Sequence, residues 1–213
     1  MPLITLSPDD IDDVIYSART GSVEAIETDI ATLSTTYNVK PSVIVASAID
    51  KAPEEEGGSG CCLLHYPAAN GNLDVLKNLI TSLLSSQSAA EQTLTPDEVK
   101  AVVNHRNHSG NTPLHWAALN THLECVKLLV EAGADASIKN EAGLDAIFLA
   151  ERADWKTQDE KSEGQSAGEG VDEAEVGDGA GEEAGPGRKV VEWLLEFGGP
   201  VEVEASGDAG EDA

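Results

Sequence analysis

The feature that most constrains this chain is its resemblance to itself. The stretch GNTPLHWAALN starting at Gly110 recurs 33 residues later as GLDAIFLAERA from Gly143, which sets Leu114 over Ile147, Trp116 over Leu149 and Ala117 over Ala150. Shifting back by 50 residues brings GCCLLHYPAANGNLDVLKNLI under GNTPLHWAALNTHLECVKLLV. Leu64, His65, Ala68, Asn70, Leu73 and Lys77 then fall under Leu114, His115, Ala118, Asn120, Leu123 and Lys127. A further 50 residues back, YSARTGSVEAI lies under YPAANGNLDVL, with Ala18 under Ala68 and Gly21 under Gly71. Four units result, two of the spacings being 17 residues longer than 33. A period of this size means a solenoid, because one short unit cannot bury its apolar face until a neighbour stacks on it.

Hydrophobic residues make up 40% of the 213-residue chain but aromatics only 4%, so the core is built from Leu, Val, Ile and Ala, which suits helices packed on helices. The unit GNTPLHWAALNTHLECVKLLVEAGADASIKN resembles the ankyrin repeat, a helix-turn-helix that opens with a β-turn and a T-P-L-H-x-A motif. The expected fold is therefore an all-α ankyrin-repeat solenoid of about four repeats with β-turn fingers. The resemblance is fullest in the third unit. Cys62 and Leu63 stand where Thr and Pro are expected in the second, and Asp145, Ala146 and Phe148 replace Thr, Pro and His in the fourth. The first keeps the end of its first helix and Gly21, as a polar terminal cap would.

The fourth unit is interrupted. Its second helix should begin near Lys156, yet the matching segment KVVEWLLEFGGP appears later, with Val191 in the register of Val126, Leu194 of Leu129 and Gly198 of Gly133. An insertion of 32 residues thus splits the last repeat between its helices. The expected organisation is repeats one to three plus the first helix of repeat four over 1–155, and an acidic disordered insertion over 156–187. The second helix of repeat four follows over 188–200, then an acidic disordered tail over 201–213. The insertion holds ten acids against two lysines and the tail five acids with no base, so together they carry half of the net charge of -26. Segments so acidic and so poor in apolar residues cannot bury enough surface to fold. Within the two 17-residue spacers, Thr95 before Pro96, with Glu98 three residues on, predicts a capped short helix, and KPSVIVASAIDKAPEEEGG predicts an extended finger.

His115 raises the question of chemistry. In the ankyrin resemblance Thr112 caps the first helix, Pro113 fits its first turn and Leu114 enters the core, so His115 and His65 are expected to hydrogen-bond backbone groups of neighbouring turns. A thiol enzyme pairing Cys61 or Cys62 with His65 is the chemical alternative. The expectation is no enzyme, no cofactor and no metal, because Cys61, Cys62 and Cys125 give neither a zinc spacing nor a disulfide framework. They read as reduced thiols of a cytoplasmic and nuclear protein. The start MPLITLSPDD lacks the pattern of a signal peptide, and no apolar run approaches a membrane span.

The net charge repels nucleic acid and anionic membranes and attracts basic partners. Ankyrin stacks bind through their fingertips and the inward face of their first helices. By register the tips are Gly58, Ser59 and Cys61, then His108, Ser109 and Asn111, then Glu141, Ala142 and Leu144. The exposed first-helix positions are Arg19, Thr20, Ala69, Asn70, Leu119, Asn120, Arg152 and Ala153, and one further position holds Tyr16, Tyr66, Trp116 and Leu149 in successive repeats. The candidate partner-binding set is Tyr16, Arg19, Tyr66, Asn70, His108, Ser109, Asn111, Trp116, Leu119, Asn120, Glu141, Leu144 and Arg152. The aromatic position is either an anchor for a partner or framework against the next finger.

Over residues 14–152, on LLHYPAANGNLDVLKNLITSLL, AVVN and NHSGNTPLHWAALNTHLECVKLLVEAGADASIKNEAGLDAIFLAE, the chain resembles fungal ankyrin-repeat chaperones dedicated to one ribosomal protein. That resemblance implies a basic small-subunit client of the KH-domain type. The client would be bound one to one by a monomer, kept soluble, and escorted to the nucleus for ribosome assembly without direct contact to nucleic acid. A general interaction scaffold or inhibitor, or a histone-type acidic chaperone, is the alternative on the same fold.

Overall fold

The computed structural model describes residues 4–84, 94–153 and 184–198. Helices α1 (Pro8–Thr20) and α2 (Val23–Tyr37) form the first pair, followed by α3 (Pro41–Ser47) in the first spacer. Helices α4 (His65–Asn70) and α5 (Leu73–Leu84) form the second pair, with α6 (Pro96–Val103) in the second spacer. Helices α7 (Pro113–Leu119) and α8 (Leu123–Glu131) form the third. In the fourth, residues 146–153 form α9, and α10 spans Pro186–Phe197. The described residues contain no strand, only an isolated antiparallel bridge between Ile49 and Cys62.

Stacking follows the repeat register. First helices pack in a row from α1 to α4 to α7, and second helices from α2 to α5 to α8 to α10. The residues that face between rows are those the periodicity aligns: Ala18, Ala68 and Ala118 are fully buried, as are Leu64 with Leu114 and Leu129 with Leu194. Small alanines let the first helices approach closely, while the leucines of the second helices fill the core behind them.

The turn between paired helices needs a left-handed residue. Gly21 and Gly71 supply it with φ of 78° and 72°. At Gly71 a side chain would also meet the His122 ring, 2.7 Å from the ideal Cβ position. In repeat three the equivalent residue is Thr121, held at φ 59°, a strained conformation for a β-branched side chain.

Two expectations change and one is met. The first spacer is not simply an extended finger: Pro41–Ser47 is a helix whose residues 42–47 are all buried against α2 and α5. Apolar Val43, Ile44, Val45 and Ala46 drive it into the stack. The second spacer does form its capped helix, Thr95 and Glu98 making a reciprocal capping box with Glu98 N–H donating to Thr95 Oγ1 at 3.2 Å. Helix α10 begins at Pro186, two residues before the expected start, and packs on α8 and α7 through Val190 and Leu194. Most of the expected acidic insertion and the whole tail lie outside the described residues.

Candidate protein-docking face

The histidines set the geometry on which this face is built. His65 Nδ1 accepts the Cys62 N–H at 3.2 Å, so its Nε2 carries the proton and donates to the Asn111 carbonyl at 2.9 Å. His115 repeats the arrangement one unit later: Nδ1 accepts the Thr112 N–H at 3.1 Å and Nε2 donates to the Leu144 carbonyl at 3.1 Å. Each ring therefore ties its own helix start to the finger of the next repeat. Burial disfavours the charged imidazole at both, lowering His115 and bringing His65 down to about 4.

Three further histidines fasten repeats two and three from the other side. His105 Nε2, His108 Nδ1 and His122 Nε2 donate to the carbonyls of Gly60, Gly58 and Ala69 at 2.9, 3.1 and 3.1 Å. All five histidines of the chain thus bridge adjacent repeats. His108, a candidate partner residue, uses its ring as framework.

The thiol alternative also has a geometry. Cys62 occupies the Thr112 position and its Sγ lies 3.2 Å from His65 Nδ1, as Thr112 Oγ1 lies 2.8 Å from His115 Nδ1. Burial pushes the Cys62 thiol up to about 12 while it pushes the imidazole down, which opposes a thiolate–imidazolium pair. The sulfur stands in for the threonine hydroxyl.

The remaining candidates separate by exposure. Tyr16 is 70% exposed and Leu119 43%, and Arg19, Asn70, Ser109, Asn120, Glu141 and Arg152 are exposed. Tyr66, Asn111, Trp116 and Leu144 are half-buried. The Arg19 guanidinium lies 5.6 Å from the Tyr66 ring centre, and Tyr66 meets Trp116 edge-on at 6.5 Å. A continuous strip therefore crosses α1, α4 and α7. Ser59 Oγ lies 3.3 Å from the Tyr66 hydroxyl, joining the strip to the second finger. That finger is rigid: Asp50 accepts from the N–H and hydroxyl of Ser59 at 2.6 and 2.7 Å, and these donors overcome the effect of burial and hold its carboxyl below the usual carboxylate range.

Two placements differ from expectation. Cys61 is fully buried rather than at an exposed tip, because the finger turns its side chain inward to Asn107, whose Nδ2 lies 3.6 Å from Sγ. Leu149 is buried and does not extend the aromatic strip into repeat four. Asn111 and Leu144 contribute mainly backbone: each offers its carbonyl to a histidine, and Asn140 Nδ2 donates to Asn111 Oδ1 at 2.8 Å.

With the stack, its finger turns and the His65–Asn111 ties in view, the family assignment rests on direct comparison. The family model for ankyrin repeats (three copies) matches residues 14–140. The chain belongs to the ankyrin-repeat family. Among curated proteins none matches the sequence. Among solved structures, it is similar to the crystal structure of the yeast ribosomal protein Rps3 in complex with its chaperone Yar1. The match has 29% identity and a TM-score of 0.58, and covers 78% of this chain and 99% of the matched chain. An ankyrin-repeat protein of this kind is a protein-interaction scaffold. No helix among the described residues is long and apolar enough to cross a membrane.

Several participants escape a residue-by-residue alignment. His105 and His122 have no counterpart in the repeat motif quoted above, and only the stacked structure brings them to carbonyls 45 and 53 residues away. On α1, Asp9, Asp12 and Asp13 are exposed at spacings of seven, four and three from Tyr16, a helical register that the sequence does contain.

Proposed function

We propose that this protein is a dedicated chaperone of a basic small-subunit ribosomal protein of the KH-domain type, keeping the newly made client soluble and escorting it from cytoplasm to nucleus for assembly. The observation that carries this reading is the similarity to the Rps3–Yar1 complex over 99% of the matched chain. The physics of the client fits. Free ribosomal proteins are basic, bind nucleic acid non-specifically and contain segments that fold only on a partner. A scaffold with a net charge of -26 replaces phosphate as counter-charge, speeds capture and yields to ribosomal RNA on release. The role requires no catalysis, in keeping with the buried thiols at Cys61, Cys62 and Cys125.

The test is affinity isolation of the tagged full chain from nuclease-treated extract at moderate salt, followed by mass spectrometry. Recovery of the KH-domain ribosomal protein at about one to one is expected. Recovery of histones, or of many basic proteins at trace level, contradicts the dedicated role and leaves a general acidic chaperone.

A further inference from the structure

We infer that the partner is held by the first-helix face of repeats one and two, through a cationic amphipathic helix laid across Tyr16 and Tyr66 and reaching the edge of repeat three at Trp116. The inference rests on the proposed binding of a basic client and adds where that client docks.

Apolar exposure supplies the first argument. Tyr16 leaves 70% of its surface in water although it lies beside the tightly packed first-helix row. It is the most exposed ring on that row and lies three residues before Arg19 on α1, whose guanidinium meets Tyr66, which in turn meets Trp116. Large amphipathic rings on a rigid support are efficient anchors, since little conformational freedom is lost when they are covered.

Charge then selects the partner. Asp9, Asp12 and Asp13 share the exposed α1 face with Tyr16, and Glu54–Glu56 form an exposed turn in the finger whose Ser59 touches Tyr66. None of these six carboxylates is in an ion pair among the described residues. The fingers of repeats three and four are different: residues 104–111 hold Arg106 and no acid, and residues 137–144 hold Lys139 against Glu141. Docking a basic segment on those two fingers would meet Arg106 and a balanced Lys139 and Glu141, whereas repeats one and two offer carboxylates on both flanks of an apolar strip. The matching ligand is a helix with an apolar stripe bordered by Lys and Arg.

Two purified probes test this: the KH-domain small-subunit ribosomal protein, and a designed helical peptide with a leucine stripe and lysine elsewhere. Each is titrated against the full chain, against Asp9→Asn/Asp12→Asn/Asp13→Asn, and against a charge-matched control, Glu131→Gln/Glu141→Gln/Glu151→Gln. Asp10 is left intact because it anchors Ser7 and Tyr37. We expect the aspartate variant to bind both probes at least tenfold more weakly at low salt, the control to change less than threefold, and Tyr16→Ser to weaken binding at every salt concentration. Thermal melts matching the parent show that the variants fold. If the ribosomal protein binds but only the control weakens it, the docking inference is overturned and the chaperone proposal stands. If the peptide alone binds, with the aspartate dependence, the docking inference stands and the client is wrong. If neither probe binds, both are overturned.

Discussion

Together, α1 and the second finger carry six exposed carboxylates and an exposed tyrosine, and no histidine lies in repeat one. Between the third finger and α8 the chain keeps closest to the repeat motif, and His105, His108, His115 and His122 are engaged with backbone of neighbouring repeats. One region differs from the motif and carries charge and a bare ring; the other matches the motif and carries the fastening. The same scaffold thus divides its tasks, since a surface that must stay exposed for a partner cannot also bury its polar groups between repeats. Asn70 illustrates the lighter joint at repeat one, donating to the Arg19 carbonyl at 3.2 Å where repeat three uses an imidazole.

The largest expected effect comes from breaking the fastening. His65→Ala leaves the Asn111 carbonyl without its donor and opens a cavity at a fully buried site, so unfolding free energy should fall by about 3 kcal/mol. Asn70→Ala, at the lighter joint, should cost less than about 1 kcal/mol. Chemical denaturation of the two variants checks the ratio.

Acid titration probes the same joint without a substitution. His65 is depressed to about 4 in the folded state against an ordinary 6.5, so the unfolded chain binds the proton first as pH falls. Its contribution is complete above 6.5 and is lost as pH drops through that value towards 4, amounting to about 3 kcal/mol over the window. His115 is depressed in the same direction and adds to the loss. Hydrogen exchange at pH 5 should show amides of α4 and α7 losing protection relative to pH 7 more than those of α1 and α2. Uniform loss would remove the distinction between the two regions.

Much of this architecture is legible in the sequence because stacking imposes it. The offsets of 50 and 33 already place Ala68 on Ala118 and His65 on His115, and a buried, repeated contact tolerates few residue types. Thr95, Pro96 and Glu98 are equally readable, being a local capping box. The buried helix Pro41–Ser47 is less so, because a short apolar run signals burial without declaring its conformation. The docking face is the least legible part. Exposure at Tyr16 and burial at Leu149 occupy one register position, so register alone does not set exposure. Register likewise puts Cys61 at a tip, because the alignment locates the finger but not the direction of its side chains.

Smaller effects sharpen the comparison. Thr121→Gly, which gives repeat three the turn residue found at Gly21 and Gly71, should raise stability by about 1 kcal/mol by relieving the left-handed strain. A thermal melt of that variant checks the sign. The i,i+4 pair of Arg188 and Glu192 is solvent-exposed at 3.0 Å, and Glu192→Ala should change stability by no more than about 0.5 kcal/mol.

The measurement that tests the central claim most directly is sedimentation of the purified KH-domain small-subunit ribosomal protein at physiological salt, with and without an equimolar amount of this chain, in the presence of excess core histones as competitor. The account predicts that the ribosomal protein stays in the supernatant and elutes with the chain as a one-to-one complex while histones do not displace it. A client that sediments as it does alone, or a complex lost to histones in proportion to their concentration, would contradict it.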